Sequence, residues 1–182
     1  MQFVDIVLMA MLVVVSLLAM TFVLHCLTMV PYVPTPEKII HQMLDFADLR
    51  GNENLYDLGA GDGRLLVLAK RKFPKTSVTG FEISPMIYLL GRIVLWRAGT
   101  DAKFRCANFF NQDLSDADCI YLYLMPEAMR LLAPKFDKEL KPGTKVISYA
   151  FTFKDRKPTE TKEVDWLSGK RKLWLYEWPA RG

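Results

Sequence analysis

Apolar and polar positions divide the chain into one long apolar run and a region of shorter alternating elements. Residues 6–24 contain no charged side chain, and the first lysine or arginine is Lys38. A helix of about 20 apolar residues is long enough to cross the hydrocarbon core of a bilayer. We therefore expect a membrane anchor over residues 1–30, with a cleaved signal peptide or a buried core helix as the alternatives.

A proline-rich link and then a series of α and β patterns follow the apolar run. Residues 31–36 read Pro-Tyr-Val-Pro-Thr-Pro, which favours extended backbone. Helical periodicity predicts helices over about 37–49 and 85–98, another that follows Arg64 and packs through Leu65, Leu66, Leu68 and Ala69, and one after Pro126. Apolar runs predict seven strands, near residues 55–58, 77–82, 103–107, 119–124, 144–151, 163–167 and 173–178. Strands that alternate with helices predict a mostly parallel sheet, and the last two runs, joined by residues 168–171, predict a hairpin with an antiparallel final strand.

The turn after the first predicted strand has the composition of a ligand-binding loop. It reads Asp57-Leu58-Gly59-Ala60-Gly61-Asp62-Gly63-Arg64, and the next strand ends at Glu82. Glycines allow positive φ and close approach of a ligand to the backbone. The unpaired N–H groups at the start of the following helix favour a negative ligand group. A carboxylate at Glu82 can accept two hydrogen bonds from a ribose diol, so the pattern indicates a nucleotide-like ligand.

The same turn distinguishes between two classes of ligand. The dinucleotide fingerprint G-x-G-x-x-G requires glycine where this chain has Arg64, and Asp62 is a poor neighbour for a pyrophosphate. S-adenosylmethionine (SAM) instead carries a sulfonium, an ammonium and a carboxylate. Asp57 and Asp62 can hold the ammonium directly or through water, and backbone N–H groups can take the carboxylate. The alternative is a tight turn in which the glycines serve geometry alone.

Charge and cysteine content limit the possible partners. All 24 lysines and arginines follow Pro36, so the positive-inside rule places the globular part on the cytoplasmic or matrix face of a membrane. The net charge of +4 is too small and diffuse to indicate a nucleic-acid partner. Cys26, Cys106 and Cys119 lack the spacing of metal ligands, so we expect no metal site.

The glycine-rich turn and Glu82 together resemble motif I and the acidic strand-2 tip of class I SAM-dependent methyltransferases. The resemblance implies a Rossmann-like α/β fold, with a mostly parallel seven-stranded sheet whose last strand is antiparallel, and SAM as cofactor. In this family the residue at Asn108 accepts from the adenine amino group, and Phe109 could stack on the ring or belong to the core. The implied cofactor-binding residues are Asp57, Gly59, Ala60, Gly61, Asp62, Gly63, Glu82, Asn108, Phe109 and Thr35.

The resemblance also locates the methyl acceptor, at the tip of the strand near residues 119–124. Base-methylating enzymes carry an Asn/Asp-Pro-Pro-aromatic motif there, whereas this chain has Leu-Met-Pro-Glu, which disfavours nucleic-acid bases. The substrate-side candidates are Tyr123, Met125 and Glu127, together with Tyr32 from the link. Glu127 could instead be a simple first-turn helix charge. Tyr32 and Thr35 could belong to a rigid spacer that caps the next helix. No residue is assigned as general base.

The apolar run, the proline-rich link and the glycine-rich turn together resemble a narrower group, the membrane-anchored lysine methyltransferases of the ATP synthase c subunit and the adenine nucleotide translocase. This implies an anchor at 1–30, a link at 31–36 and a methyltransferase domain at 37–182. It also implies lysine methylation of a membrane-associated protein, with the bilayer as a partner. Two alternatives stay open: methylation of a lipid or quinone precursor, with Met86 and Tyr88 as lining, and a SAM-binding membrane protein without catalysis.

Overall fold

The structure, a computed structural model, describes residues 3–28, 33–166 and 169–180. Its helices are α1 (Phe3–Thr28), α2 (Glu37–Phe46), α3 (Arg64–Lys72), α4 (Pro85–Ala98) and α5 (Pro126–Glu139). Its strands are β1 (Asn54–Leu58), β2 (Ser77–Glu82), β3 (Lys103–Cys106), β4 (Cys119–Leu122), β5 (Thr144–Tyr149), β6 (Glu160–Trp166) and β7 (Gly169–Trp178). A short 3₁₀ turn spans Phe109–Asn111.

The seven strands form one sheet in the order β3-β2-β1-β4-β5-β7-β6. Strands β1 to β5 pair in parallel, while β7 runs antiparallel to both β5 and β6. This confirms the predicted class I methyltransferase fold. The strand order reverses between β1 and β4, and in open α/β sheets such a reversal creates a crevice at the carboxyl ends of the strands.

The C-terminal hairpin is longer than the hydrophobic pattern predicted. Strand β6 begins at Glu160 rather than near residue 163, and β7 begins at Gly169 rather than near 173. The side chains at residues 170–172 are exposed, so pairing there depends on backbone hydrogen bonds and leaves no apolar alternation in the sequence. The residues described between β5 and β6 form no helix.

Two apolar layers cover the faces of the sheet. Helices α2, α3 and α4 pack on one face, where Leu44, Leu66 and Tyr121 are fully buried. Helix α5 covers the other face, where Phe136 and Trp178 meet edge to face with ring centroids 5.3 Å apart. Because both faces are covered, the polar groups that remain accessible to a ligand are those at the strand ends.

Helix α1 lies apart from this core. Among the described residues it is the one helix that is long and apolar enough to cross a membrane, with a mean hydropathy of 2.7 over Phe3–Met20. None of the side chains in that window is buried. That part of the helix therefore does not contribute to the core of the domain, although α1 lies alongside α4, with Cα atoms of the two helices within 8 Å.

Candidate functional site

A cavity of about 430 Å³ opens at the carboxyl ends of the central parallel strands. Its volume falls in the range of roughly 300–1,000 Å³ that is usual for small-molecule sites. Twelve residues predicted from the sequence line it: Thr35, Asp57, Gly59, Ala60, Gly61, Asp62, Glu82, Asn108, Phe109, Tyr123, Met125 and Glu127. Gly63 lies next to the lining at the start of α3, and Tyr32 falls outside the described residues.

The glycine-rich loop is shaped by backbone conformation that other residues adopt only at a cost. Gly59, Gly61 and Gly63 have φ of 83°, 56° and 73°, all in the left-handed region. A Cβ atom on Gly63 would lie 2.5 Å from Cδ1 of Leu95, inside van der Waals contact. The glycines therefore let α3 begin close against α4 and turn the loop backbone towards the cavity.

Both oxygens of the Glu82 carboxylate accept hydrogen bonds from backbone N–H groups, one of which belongs to the glycine-rich loop. The Gly61 N–H donates to Oε2 at 3.0 Å, and the Ser84 N–H donates to Oε1 at 2.8 Å. A carboxylate has about four lone-pair sites and can accept several hydrogen bonds at once. The side chain is only 8% exposed, which positions a buried acceptor pair at the cavity wall, as a ribose diol requires.

Asp57 supplies a second buried carboxyl at the end of β1. Burial, followed by the nearby charges of Glu82 and Asp62, raises the pKa of Asp57 to about 8. Three carboxyl groups that converge on one cavity wall repel each other's charge. A cationic ligand group at this point would relieve that repulsion, so the wall is chemically suited to an ammonium or a sulfonium.

Asp62 is held by a cationic partner that the sequence interpretation did not anticipate. The Arg64 Nε lies 2.9 and 3.0 Å from the two carboxylate oxygens of Asp62, and Nη2 lies 2.6 Å from Oδ2. The remaining nitrogen, Nη1, donates to the Thr35 carbonyl at 3.4 Å. Arg64 thus links the glycine-rich loop to the segment before α2, and the spacing Asp-x-Arg was the signal for it.

Thr35 does not cap α2, contrary to the spacer alternative. Pro36 occupies the N-cap position without a side-chain hydrogen bond, and its carbonyl accepts from Ile39 and Ile40. Thr35 is part-buried and lines the cavity instead. The segment that precedes α2 is therefore a wall of the cavity.

The end of β3 leads into the predicted adenine side of the cavity. Asn108 caps the 3₁₀ turn, because its Oδ1 accepts from the Phe110 N–H at 3.0 Å. The rings of Phe109 and Phe110 lie 4.6 Å apart, and both residues line the cavity. Asn108 combines a local structural role with a position at the cavity edge, and an amide oxygen has a second lone pair for another donor.

The strand-4 tip forms an aromatic wall on the other side of the cavity. Tyr123 lies 4.7 Å from Tyr149 and stacks on Phe151 at 6.4 Å, measured between ring centroids. Burial raises the pKa of Tyr149 to about 12, so its phenol stays neutral. Phe151 lines the cavity but was not predicted, because it follows the end of β5 and contacts Tyr123 only after the sheet has formed.

Glu127 lies at the exposed rim of the cavity. Its carboxylate accepts from Arg130 Nη2 at 2.5 Å, one helical turn along α5. The hydrogen bond from Arg130 holds the pKa of Glu127 below its ordinary value, so the group is a weak proton acceptor at neutral pH. This geometry accords with the alternative of a first-turn helix charge, although the residue also faces the cavity.

The donor set of the cavity fits SAM better than a phosphate-bearing nucleotide. It combines carboxylates, loop N–H groups and aromatic rings. Within the described residues, no three His, Cys, Asp or Glu side chains are placed to hold a metal ion. Carboxylates suit the cationic end and the ribose hydroxyls of SAM, and aromatic rings suit its adenine.

Comparison with known families supports this assignment. Residues 57–160 match the family model described as the ANTKMT methyltransferase domain. That segment begins at Asp57 of the glycine-rich loop and extends to the first residue of β6. It therefore contains the described cavity walls except those that α2 and the segment before it contribute.

Two curated relatives share most of the chain. A protein-lysine N-methyltransferase from Saccharolobus islandicus is 34% identical over 159 residues, which are 86% of this chain and 96% of the relative. The adenine nucleotide translocase lysine N-methyltransferase of Mus musculus is 30% identical over 151 residues. This chain spans 63% of the length of that mouse protein.

A solved structure shares the fold at similar identity. The RNA methyltransferase from Salinibacter ruber in complex with S-adenosyl-L-homocysteine superposes with a TM-score of 0.71 and 33% identity. The match covers 80% of this chain and 95% of that protein. Its bound ligand is SAM without the transferred methyl group.

Proposed function

Because this chain belongs to the ANTKMT methyltransferase domain family and is a SAM-dependent methyltransferase, we propose that it methylates lysine side chains of a membrane-associated protein. The observation that carries the proposal is the 34% identity to a protein-lysine N-methyltransferase across 96% of that relative. The geometry of the site also supports the proposal. Aromatic and apolar side chains line the cavity near the end of β4, and we call this part of the cavity the acceptor wall.

In this proposal, the predicted cofactor residues contact different parts of SAM. Glu82 accepts from the ribose hydroxyls, and Asp57 faces the ammonium group. The loop backbone at Gly59–Gly61 approaches the carboxylate, and Phe109 and Asn108 face the adenine. The support is that these groups converge on one cavity with the correct chemistry at each end.

The acceptor wall accounts for how a lysine becomes reactive. Lysine in water has a pKa of about 10.4, and only the uncharged amine is a nucleophile. Tyr123, Phe151 and Leu131 line a part of the cavity in which desolvation favours the neutral amine. SAM supplies a methyl group on sulfonium. The amine lone pair attacks the methyl carbon in line with the carbon–sulfur bond, and the electron pair of that bond passes to sulfur, which leaves as a thioether. The methylated ammonium then releases a proton to solvent.

The membrane location in this proposal depends on α1. We assign residues 1–30 as a single-pass anchor, 31–36 as the link, and 37–182 as the catalytic domain on the cytoplasmic face, or the matrix face if the protein is mitochondrial. The support is the apolar composition of α1 and the position of all 24 lysines and arginines after Pro36. Confinement to the bilayer would raise the effective concentration of a substrate lysine near its surface.

A second candidate function, methylation of RNA, is favoured by one observation. The Salinibacter ruber relative, at 33% identity, is described as an RNA methyltransferase. The Leu-Met-Pro-Glu sequence at residues 124–127, with its exposed Glu127–Arg130 ion pair, argues against a planar base at the acceptor wall. RNA is therefore included as an acceptor in the test.

Transfer of a labelled methyl group separates the candidate functions. Full-length protein in detergent is incubated with methyl-labelled SAM, host membranes and total RNA, and the protein, lipid and RNA fractions are then counted. We expect label in protein, recovered as methyl-lysine after hydrolysis. Label confined to lipid or RNA would contradict the lysine proposal, and SAM binding without any label would indicate a non-catalytic protein.

Matched variants exclude a contaminating enzyme. Glu82→Ala removes the proposed ribose acceptor and is expected to abolish labelling at limiting SAM. Glu163→Ala removes an exposed carboxylate on β6, which pairs with Lys170, and should leave labelling unchanged.

A further inference from the structure

Helix α4 presents an apolar face on the side away from the sheet. Ile87, Gly91 and Leu95 recur every four residues and are buried. The opposite side carries Leu89, Leu90, Ile93 and Trp96, whose exposed fractions are 45%, 52%, 53% and 80%. We call these four side chains the α4 ridge.

An outward face of this kind is unusual for a helix that covers a sheet. Such helices are normally amphipathic, with polar residues on the solvent side, and a helix that is apolar all round is normally buried. Among the described residues after α1, the other highly exposed large apolar side chains are Val33, Met125 and Leu131, which line the cofactor cavity. The α4 ridge is therefore an apolar patch that the active site does not explain.

The position of the ridge and the charges around it indicate what covers it. Helix α1, the candidate membrane span, lies alongside α4. Arg92 and Arg97 flank the ridge, and α4 contains no acidic residue. Arg92 is oriented by a 3.1 Å hydrogen bond to the Tyr88 hydroxyl. Apolar and tryptophan side chains between basic residues are the composition of helices that lie in the plane of a membrane interface.

We propose that the α4 ridge inserts into the interfacial layer of the bilayer beside α1, with Arg92 and Arg97 at anionic lipid headgroups. The inference rests on the proposed membrane anchor and goes beyond it, because it assigns a second element of the protein to contact with lipid. Helix α4 begins at Pro85, directly after Ser84 of the cavity wall. Contact of the ridge with lipid would thus hold the cavity at a set height above the membrane surface.

A second copy of the chain is the other possible occupant. Stable protein interfaces use about 20–30 residues on each side. The ridge offers four large side chains, which is too few for such an interface but sufficient for shallow insertion in lipid. Lipid is therefore the occupant that the surface favours.

Tryptophan fluorescence quenching tests the insertion directly. The full chain is reconstituted into vesicles of phosphatidylcholine and phosphatidylglycerol whose acyl chains are brominated near the headgroup, and emission is compared with that in unbrominated vesicles. We expect quenching of the wild type and loss of most of that quenching in Trp96→Phe. Trp96 is 80% exposed, so its replacement should not disturb the fold. Trp174→Phe, in the half-buried part of β7, is the matched control and should keep the quenching.

Flotation of the same vesicles distinguishes failure of the ridge from failure of the anchor. Flotation with Trp96-dependent quenching supports the inference. Flotation with equal quenching in the wild type and Trp96→Phe overturns the inference and leaves the anchor intact. Protein that neither floats nor is quenched overturns both. A chemically cross-linked dimer through the ridge, without quenching, would assign the face to a second copy and also overturns the inference.

Discussion

Arg64 donates hydrogen bonds from Nε and Nη2 to the carboxylate of Asp62, two residues earlier, and from Nη1 to the carbonyl of Thr35. Arg64 occupies the position at which a dinucleotide fingerprint would have glycine. The residue that excludes one ligand class thus joins the cofactor loop to the segment that precedes α2. Asp62, expected to face the ammonium of SAM, has part of its charge balanced within the protein, and Asp57 becomes the principal candidate for that role.

Replacing Arg64 should shorten the lifetime of bound SAM. The Arg64→Ala variant releases the segment at Thr35 from the loop, so the cavity wall opens more readily. The loss of a hydrogen bond of about 0.5–1.5 kcal/mol corresponds to a roughly two- to tenfold faster dissociation. Stopped-flow displacement of SAM measures this rate. Arg64→Lys keeps the charge without the planar fork and should be intermediate; equal rates in all three proteins would refute the linking role.

Glu82→Ala should weaken SAM binding by roughly ten- to a hundredfold, since hydrogen bonds to a charged group contribute about 1.5–3 kcal/mol. The Gly61 and Ser84 N–H groups also lose their acceptor, so the melting temperature is recorded beside the affinity. Calorimetric titration provides the affinity, with Glu163→Ala as the control on an exposed strand. An unchanged affinity in Glu82→Ala would remove Glu82 from the cofactor site.

Cofactor binding should depend on pH through Asp57. The pKa of this carboxyl is raised to about 8 in the protein without ligand, so the carboxyl is mostly protonated at neutral pH. The positive charge of SAM favours the ionised form, and binding therefore releases a proton. Affinity should rise between about pH 6 and pH 8 and then level off. Titrations in buffers of different ionisation enthalpy count the released proton; Asp57→Asn should abolish both effects.

The same carboxyl should shape the stability of the ligand-free protein. Its folded pKa lies above the ordinary value of 3.8, so the folded state binds more protons than the unfolded state between those values. The free energy of unfolding should therefore fall as pH rises from about 4 to about 8, as far as this group contributes. Urea denaturation at several pH values checks the sign. In Asp57→Asn this contribution should vanish, and a steeper fall in the variant would contradict the assignment.

Two glycines with similar φ should respond differently to substitution. Gly63 and Gly99 have φ of 73° and 62°, but a Cβ on Gly63 meets Leu95 at 2.5 Å, whereas Gly99 has no neighbour within 4 Å. Gly99→Ala should cost roughly 1–2 kcal/mol from backbone conformation alone. Gly63→Ala should cost roughly 2–5 kcal/mol because overpacking adds to that strain. Urea denaturation of both variants measures the difference, and equal losses would show that Leu95 moves aside freely.

Local sequence was sufficient to predict the fold and to predict that the glycine-rich loop, Glu82 and Asn108 line one cavity. Backbone geometry over a few residues depends on the local sequence. The alternation of strand and helix patterns, the glycine spacing and the carboxyl at Glu82 all act through such geometry, so they can be recognised from the sequence alone. The separation of α1 from the core was equally visible, because its apolar run is uninterrupted by charge.

Contacts between distant elements could be decided only by the tertiary structure. Phe151 contacts Tyr123 because β4 and β5 are neighbours in the sheet. Arg64 donates to Thr35 because the start of α3 lies close to the segment before α2. The outward direction of the α4 ridge likewise depends on which side of the helix packs on the sheet. An apolar helix has no polar stripe to reveal that side, so its sequence determined the helix and the packed domain determined its exposed face.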